Sequence, residues 1–223
     1  MFMEAYKQAL NVLKKKPLML WGLSLLSMLI CVIAILSTLW LLPLGIAFSF
    51  VVYCGMSKVY LDGLHGKEVN SNQLFEGFKR FFRVAGGMAW MYLWVFIWGL
   101  IPFAGVVMAI IKSYEYRFVP YILMTRPEVT ATEALRLSMQ MTKGKKLQMF
   151  LADLLLVVGV YVVIAVLFVL TMIPFIGRLF ALALMLVYLC IIAFLPIFEG
   201  LYSAAFFEMP AQDVPSAPQN ENN

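Results

Sequence analysis

Three apolar tracts, roughly residues 18–61, 84–124 and 147–207, occupy most of this 223-residue chain, and short segments rich in lysine and arginine separate them. A helix needs about 20 residues to cross a hydrocarbon layer of about 30 Å, so each tract is long enough for two crossings. Each tract is also interrupted near its middle by a proline with a glycine close behind: LLPLG at residues 41–45, IPFAG at 101–105 and IPFIG at 173–177. Proline disfavours helix at the residue before it and glycine tolerates a left-handed turn, so the pairing reads as turn punctuation. The pattern predicts an all-α, polytopic membrane helical bundle of six transmembrane helices arranged as three hairpins.

Charge placement orients the hairpins. Basic residues precede the first tract (Lys7, Lys14, Lys15, Lys16), separate the first two (Lys58, Lys67, Lys79, Arg80, Arg83) and separate the last two (Arg126, Arg136, Lys143, Lys145, Lys146), whereas the Pro-Gly turns carry only Arg178. Basic loops mark the cytoplasmic side of a membrane. Three long kinked helices would put these segments on alternating sides; three hairpins put them all on one. Both termini are therefore expected in the cytoplasm and each Pro-Gly turn outside. The first apolar run, residues 18–42, exceeds the 7–15 residues or so of a signal-peptide core and lacks a small-x-small cleavage site, so it is expected to remain as a span.

A basic amphipathic segment precedes each hairpin. On a helical wheel Phe2, Tyr6, Ala9, Leu10 and Leu13 oppose Glu4, Lys7, Gln8, Asn11 and Lys15. Leu74, Phe75, Phe78, Phe81 and Phe82 oppose Glu76, Lys79, Arg80 and Arg83, and Ala134, Leu137, Ser138 and Met141 oppose Glu133, Arg136, Gln140 and Lys143. Asn70 with Gln73 and Thr130 with Glu133 have capping-box spacing. Such segments are built to lie in the headgroup layer. The expected repeat is an interfacial helix, a span, a turn and a span, made three times in one transmembrane domain of residues 1–209 (units about 1–66, 67–126 and 127–209). A Pro- and Asn-rich tail at 210–223 is expected to be disordered.

Composition agrees: 63% of residues are hydrophobic, 13% are charged and mean hydropathy is +0.90, against roughly 45–50% and about 25% in soluble domains. Cys31, Cys54 and Cys190 sit singly in apolar surroundings and read as small core residues. His65 is the only histidine, which argues against a histidine-built zinc or haem site. Serine and threonine lack a histidine partner within a motif, and no phosphate-binding glycine loop is present, so neither an enzyme nor a cofactor is expected. GGMAW at residues 86–90 suggests close helix packing.

The stretch WGLIPFAGVVMAIIKSYEYRFVPYILMTRPEVTATEALRLSMQMTKGKK at residues 98–146 resembles the bacterial integral membrane proteins grouped as domain of unknown function 975. The resemblance rests on Ile101, Pro102 and Gly105, on Ile111 to Tyr114 with Tyr116, on Pro120, Tyr121 and Ile122, and on Pro127, Glu133, Ala134, Ser138, Met141, Gly144, Lys146 and Phe150. It departs from the family where Phe103 and Ala104 separate Pro102 from Gly105. The resemblance implies a multi-pass protein of the bacterial cytoplasmic membrane and assigns no reaction.

Lys112, Glu115 and Arg117 are unusual in an apolar tract. At 1.5 Å per residue, Lys112 lies roughly 10 Å and Arg117 roughly 18 Å beyond Gly105, and an unpaired charge in hydrocarbon costs about 2.5–3.5 kcal/mol. Lys112 and Glu115 can pair at i,i+3, while Arg117 needs a carboxylate elsewhere, Asp153 or Glu199. These five residues form either a polar cavity for a solute or lipid headgroup, or an ion-pair lock between hairpins. Lys79, Arg80, Arg83, Lys143, Lys145 and Lys146 are candidate contacts for anionic phospholipid, at about 1 kcal/mol each; topology determination alone explains them equally well. Membrane lipids, other membrane proteins or further copies of the chain are the expected partners, and nucleic acid is not. The expected function is a non-enzymatic envelope accessory or transport component with a groove between hairpins. The alternatives are a self-contained transporter using the intramembrane charges and an intramembrane lipid-modifying enzyme.

Overall fold

The computed structural model describes residues 2–15, 17–174 and 176–209, with side chains for all of these except 2, 15, 17, 18 and 34–43. The expected disordered tail at 210–223 lies outside the described residues. The fold is all-helical among the described residues. The elements are α1 (Phe2–Lys15), α2 (Pro17–Leu64), α3 (Ser71–Leu74), a 3-10 turn (Glu76–Arg80), α4 (Phe81–Gly99), α5 (Gly105–Glu115), α6 (Val119–Thr125), α7 (Ala131–Met141), α8 (Lys146–Thr171) and α9 (Gly177–Glu208).

Among the described residues, four stretches are long and apolar enough to cross a membrane: Leu44–Leu64, Ser71–Gly99, Lys146–Thr171 and Gly177–Glu208. A fifth is added if Met3–Lys14 and Met19–Ile33, which meet at a 99° bend, count as one. The helix after IPFAG falls short of the expected span. It is only 11 residues as α5, about 17 Å, and resumes as the seven-residue α6. The break coincides with the charged sequence, whose side chains turn to partners on other helices.

α2 carries helical backbone over 48 residues, yet its ends are neighbours. Leu20 Cδ2 lies 3.5 Å from where a Cβ on Gly63 would sit, although a straight helix would separate them by about 65 Å. The chain therefore reverses direction between Leu20 and Gly63, a stretch that contains the LLPLG sequence.

The two pentapeptides share the same backbone hydrogen bonds among their described residues. The amide of Gly105 donates to Ile101 O and that of Gly177 to Ile173 O, both at 2.8 Å. One residue earlier, Ala104 donates to Pro102 O (2.7 Å) and Ile176 to Pro174 O (2.9 Å). A Cβ on Gly105 would stand 2.2 Å from the carbonyl oxygen of Gly99, and one on Gly177 would stand 2.1 Å from that of Thr171. Glycine is needed because the helix start packs onto the preceding helix end, not for a left-handed conformation as expected. The left-handed residue is Phe103, at φ 63°.

Buried side chains concentrate where the helices converge, at Val51 and Val59 of α2, Met88 of α4, Ile122 of α6, Met149 and Ala152 of α8, and Leu201 and Phe206 of α9. In lipid, helices associate through close packing and hydrogen bonds more than through the hydrophobic effect, so small residues matter. A Cβ on Gly55 would be 2.1 Å from Leu74 O, on Gly87 2.8 Å from Leu123, and on Gly200 2.0 Å from the Tyr60 ring; Gly86 faces open space. Away from this core the helices expose Phe96, Val106, Val162, Val169, Leu182 and Met185, an apolar surface suited to hydrocarbon. Cys190 is on it, exposed rather than in a core; Cys54 is buried and Cys31 half-buried.

The amphipathic segments cover the core rather than standing apart from it. In α1, Ala5 and Ala9 are buried and Leu10 is exposed, and Tyr6 packs between Phe198 and Tyr202 of α9. The second segment is no single helix: α3 and the 3-10 turn run into α4, with Leu74 buried and Phe82 exposed. α7 buries Ala134, Leu135 and Ser138. Both capping boxes form, Asn70 with Gln73 and Thr130 with Glu133.

Candidate functional site

Lys112, Glu115, Arg117, Asp153 and Glu199 fall into two clusters. The first surrounds Glu115, at the end of α5. One carboxylate oxygen accepts from Lys112 Nζ (2.6 Å) and the other from Lys146 Nζ at the start of α8 (2.5 Å). Its backbone carbonyl accepts from the Ser138 hydroxyl of α7 (2.6 Å), which in turn accepts the Phe118 amide. Lys112 also lies 4.9 Å from the Trp98 ring centroid. One acidic residue thus ties α5 to α7 and α8 at the point where α5 ends. Both ammoniums of the cluster are bonded to the one carboxylate, which links three helices in the manner of a lock.

The second cluster centres on Arg117, in the break between α5 and α6. Its guanidinium straddles Asp153 of α8, with Nη1 to Oδ2 at 2.5 Å and Nη2 to Oδ1 at 3.2 Å. Two-point contact of this kind is the strongest geometry open to the pair. The remaining donors go to Ser203 Oγ (3.2 and 3.0 Å) and the Tyr202 hydroxyl (3.0 Å) of α9. Asp153 accepts further bonds from the hydroxyls of Tyr114 and Tyr202. Glu199 Oε1 approaches Arg117 only to 3.6 Å, and its side chain is 55% exposed. Arg117 and Asp153 are saturated by one another, whereas Glu199 faces open space.

That space is a cavity of about 740 Å³ between α2, α5, α8 and α9. Arg117, Asp153 and Glu199 line it, and Lys112 and Glu115 do not. Hydroxyls form much of the rest, from Ser24, Ser27, Tyr53, Ser57, Tyr60, Ser113, Tyr121 and Ser203, opposite the apolar Met28, Ile110, Phe150 and Ile192. Sequence reasoning missed these hydroxyls. Their signal was present in the spacing: Tyr53, Ser57 and Tyr60, Ser113, Arg117 and Tyr121, and Glu199 with Ser203 each recur every three or four residues, one face of a helix.

The predicted lipid-contacting bases divide in the same way. Lys79, Arg80 and Lys143 are exposed. Lys145 is fully buried, the opposite of expectation, because its ammonium donates to the last carbonyls of α9, Phe206 O (3.1 Å) and Met209 O (2.5 Å). Burial pushes that ammonium below the usual lysine range. Arg83 is held by three carbonyls, Leu123, Arg126 and Val129, at 2.7–2.9 Å, and Lys146 is held by Glu115. A lysine at a helix C-terminus satisfies orphan carbonyls and favours the negative end of the dipole.

No metal-ligating cluster is found among the described residues. No family model matches the chain, and no characterised protein or solved structure is significantly similar to it.

Proposed function

We propose that the protein is a non-enzymatic membrane component of the bacterial envelope, six-spanning with both termini cytoplasmic, whose three hairpins enclose a groove that receives an amphipathic molecule. The observation that carries this reading is the cavity. At about 740 Å³, and lined by Arg117, Asp153 and Glu199 together with hydroxyls and apolar side chains, it falls within the 300–1,000 Å³ or so of small-molecule sites. On this reading the return arm of the second hairpin crosses as α5 and α6 together, and broken helices are tolerated at membrane depth where they line a cavity. The resemblance to the domain of unknown function 975 proteins belongs to the same proposal, as do contacts of Lys79, Arg80 and Lys143 with anionic headgroups.

The test is mass spectrometry of the molecules that co-purify with the wild type and with Ser113→Trp, a bulky change at an exposed cavity position. The expected result is a lipid or solute retained by the wild type and lost from a variant of equal folded yield. Identical small-molecule content in the two proteins overturns the reading. The competing transporter reading is favoured by the open carboxylate of Glu199. It predicts flux of the retained molecule in proteoliposomes, which an accessory role does not.

A further inference from the structure

The cavity's hydrogen-bonding character is one-sided. Ser57 donates its hydroxyl hydrogen to Tyr53 O, Tyr60 to Pro196 O, Tyr121 to Gly200 O and Ser113 to Ile110 O, and Tyr114 donates to Asp153. With those hydrogens engaged, the five oxygens present lone pairs. Arg117 is the only basic residue lining the space among the described residues, and its guanidinium already donates to Asp153, Tyr202 and Ser203. Pro196 inside α9 has no amide hydrogen, so the carbonyl of Ile192, another lining residue, lacks its helical donor. The lining charges are one guanidinium against two carboxylates, a surplus of one negative charge, and the surplus lies on the half-exposed Glu199.

We propose that the cavity selects a cationic amphiphile: a primary ammonium seated against Glu199 and the surrounding hydroxyl oxygens, carried on an apolar chain that runs past Met28, Ile110 and Ile192. An ammonium has three donors and no acceptor, the complement of an acceptor-rich wall. The rings of Tyr53, Tyr60 and Tyr121 add cation–π attraction. An anionic head would meet the carboxylates of Glu199 and Asp153, and the guanidinium in the lining is already paired with Asp153. The chemistry is shared by two sources, the headgroup of an ethanolamine phospholipid and a free long-chain amine.

The inference rests on the cavity being a binding site, and three probes of one chain length separate the two claims. Decylammonium, 1-decanol and decyl phosphate are titrated into the full-length protein in maltoside detergent, and the thermal midpoint reports apparent affinity. Decylammonium is expected to bind about tenfold tighter than decanol, some 1.4 kcal/mol, and decyl phosphate weakest. Glu199→Gln, isosteric and at an exposed position, is expected to erase the ammonium advantage and leave decanol unchanged. Equal binding of the three probes, or an undiminished ammonium preference in Glu199→Gln, overturns the selectivity and leaves the cavity as a site. Failure of all three to shift the wild type removes both claims. Reconstitution in nanodiscs then identifies the source. Competition of decylammonium by phosphatidylethanolamine but not phosphatidylcholine points to the lipid headgroup, and no competition by either points to a free amine; stronger competition by phosphatidylcholine, which lacks N–H donors, overturns the proposal.

Discussion

Replacing Asp153 with asparagine removes a charge at the most constrained polar contact in the molecule. The side chains of Arg117 and Asp153 are 15% and 22% exposed, so solvent cannot substitute freely for the lost partner. Removing one member of such a pair costs about 3–5 kcal/mol, because the survivor is left charged and uncompensated. Glu199, at 3.6 Å but half-exposed, offsets about 1 kcal/mol of this. The net expectation is a loss of about 3 kcal/mol for Asp153→Asn and a similar loss for Arg117→Met. In Arg117→Met/Asp153→Asn no charge remains, and the cost falls to about 1–2 kcal/mol for the hydroxyls of Tyr114 and Tyr202, which then share a single carbonyl acceptor. The double variant should therefore be more stable than either single one. Equilibrium unfolding by SDS in mixed maltoside micelles, followed by circular dichroism, measures all four proteins of the cycle. Single variants as stable as the wild type, or two losses that simply add in the double variant, would refute the account of Arg117 and Asp153 as a mutually dependent pair.

Three further outcomes follow from other parts of the molecule. Gly105→Ala should cost about 1–3 kcal/mol, since its Cβ would stand 2.2 Å from Gly99 O, whereas Phe103→Gly should be neutral or stabilising by up to about 1 kcal/mol because φ is 63° there; the same titration measures both, and the reverse order would contradict the turn geometry. The amide and hydroxyl of Thr130 donate to the Glu133 carboxylate and hold it below the usual carboxylate range. The cap's contribution is therefore complete above the unfolded value of about 4.3 and is lost as pH falls through the lower folded value. The hydrogen-exchange protection factor at the start of α7, which is normalised for the slower intrinsic exchange in acid, should fall in acid for the wild type and stay flat for Glu133→Gln. In a background without native cysteines, Phe103→Cys should react with a membrane-impermeant maleimide from outside cells and Lys143→Cys only after lysis; labelling of both from the same side would refute the six-span topology.

Much of the local architecture was legible in the sequence. The turns at IPFAG and IPFIG were marked by proline and glycine because tight reversals restrict backbone geometry, a property of single residues. The capping boxes were legible because both partners lie within one helical turn. Even the pairing of Lys112 with Glu115 is an i,i+3 relation. Partners distant in sequence were less legible. Asp153 and Glu199 were identifiable as the carboxylates available to Arg117, but nothing along the chain told which would take the guanidinium in two-point contact and which would be left open to the cavity. The glycine of each pentapeptide was correctly located for the wrong reason, since its contact with a carbonyl six residues earlier exists only once two helices pack.

Hydrophobic periodicity, charge placement and turn residues by themselves determined that this is an apolar helical protein with basic loops and Pro-Gly reversals, because each depends on neighbours within a turn or two of chain. Only the tertiary structure decided that adjacent lysines differ in fate, Lys145 buried against the end of α9 and Lys146 held by Glu115. It likewise decided that IPFAG is followed by a broken helix while IPFIG is followed by 32 unbroken residues. Of the charges after IPFAG, Lys112 and Glu115 pair with each other, and Glu115 and Arg117 reach partners on α8 and α9 where the helix breaks, which places Arg117 at the edge of a cavity. After IPFIG and Arg178 the chain carries no charge before Glu199, and α9 continues unbroken to line the same cavity.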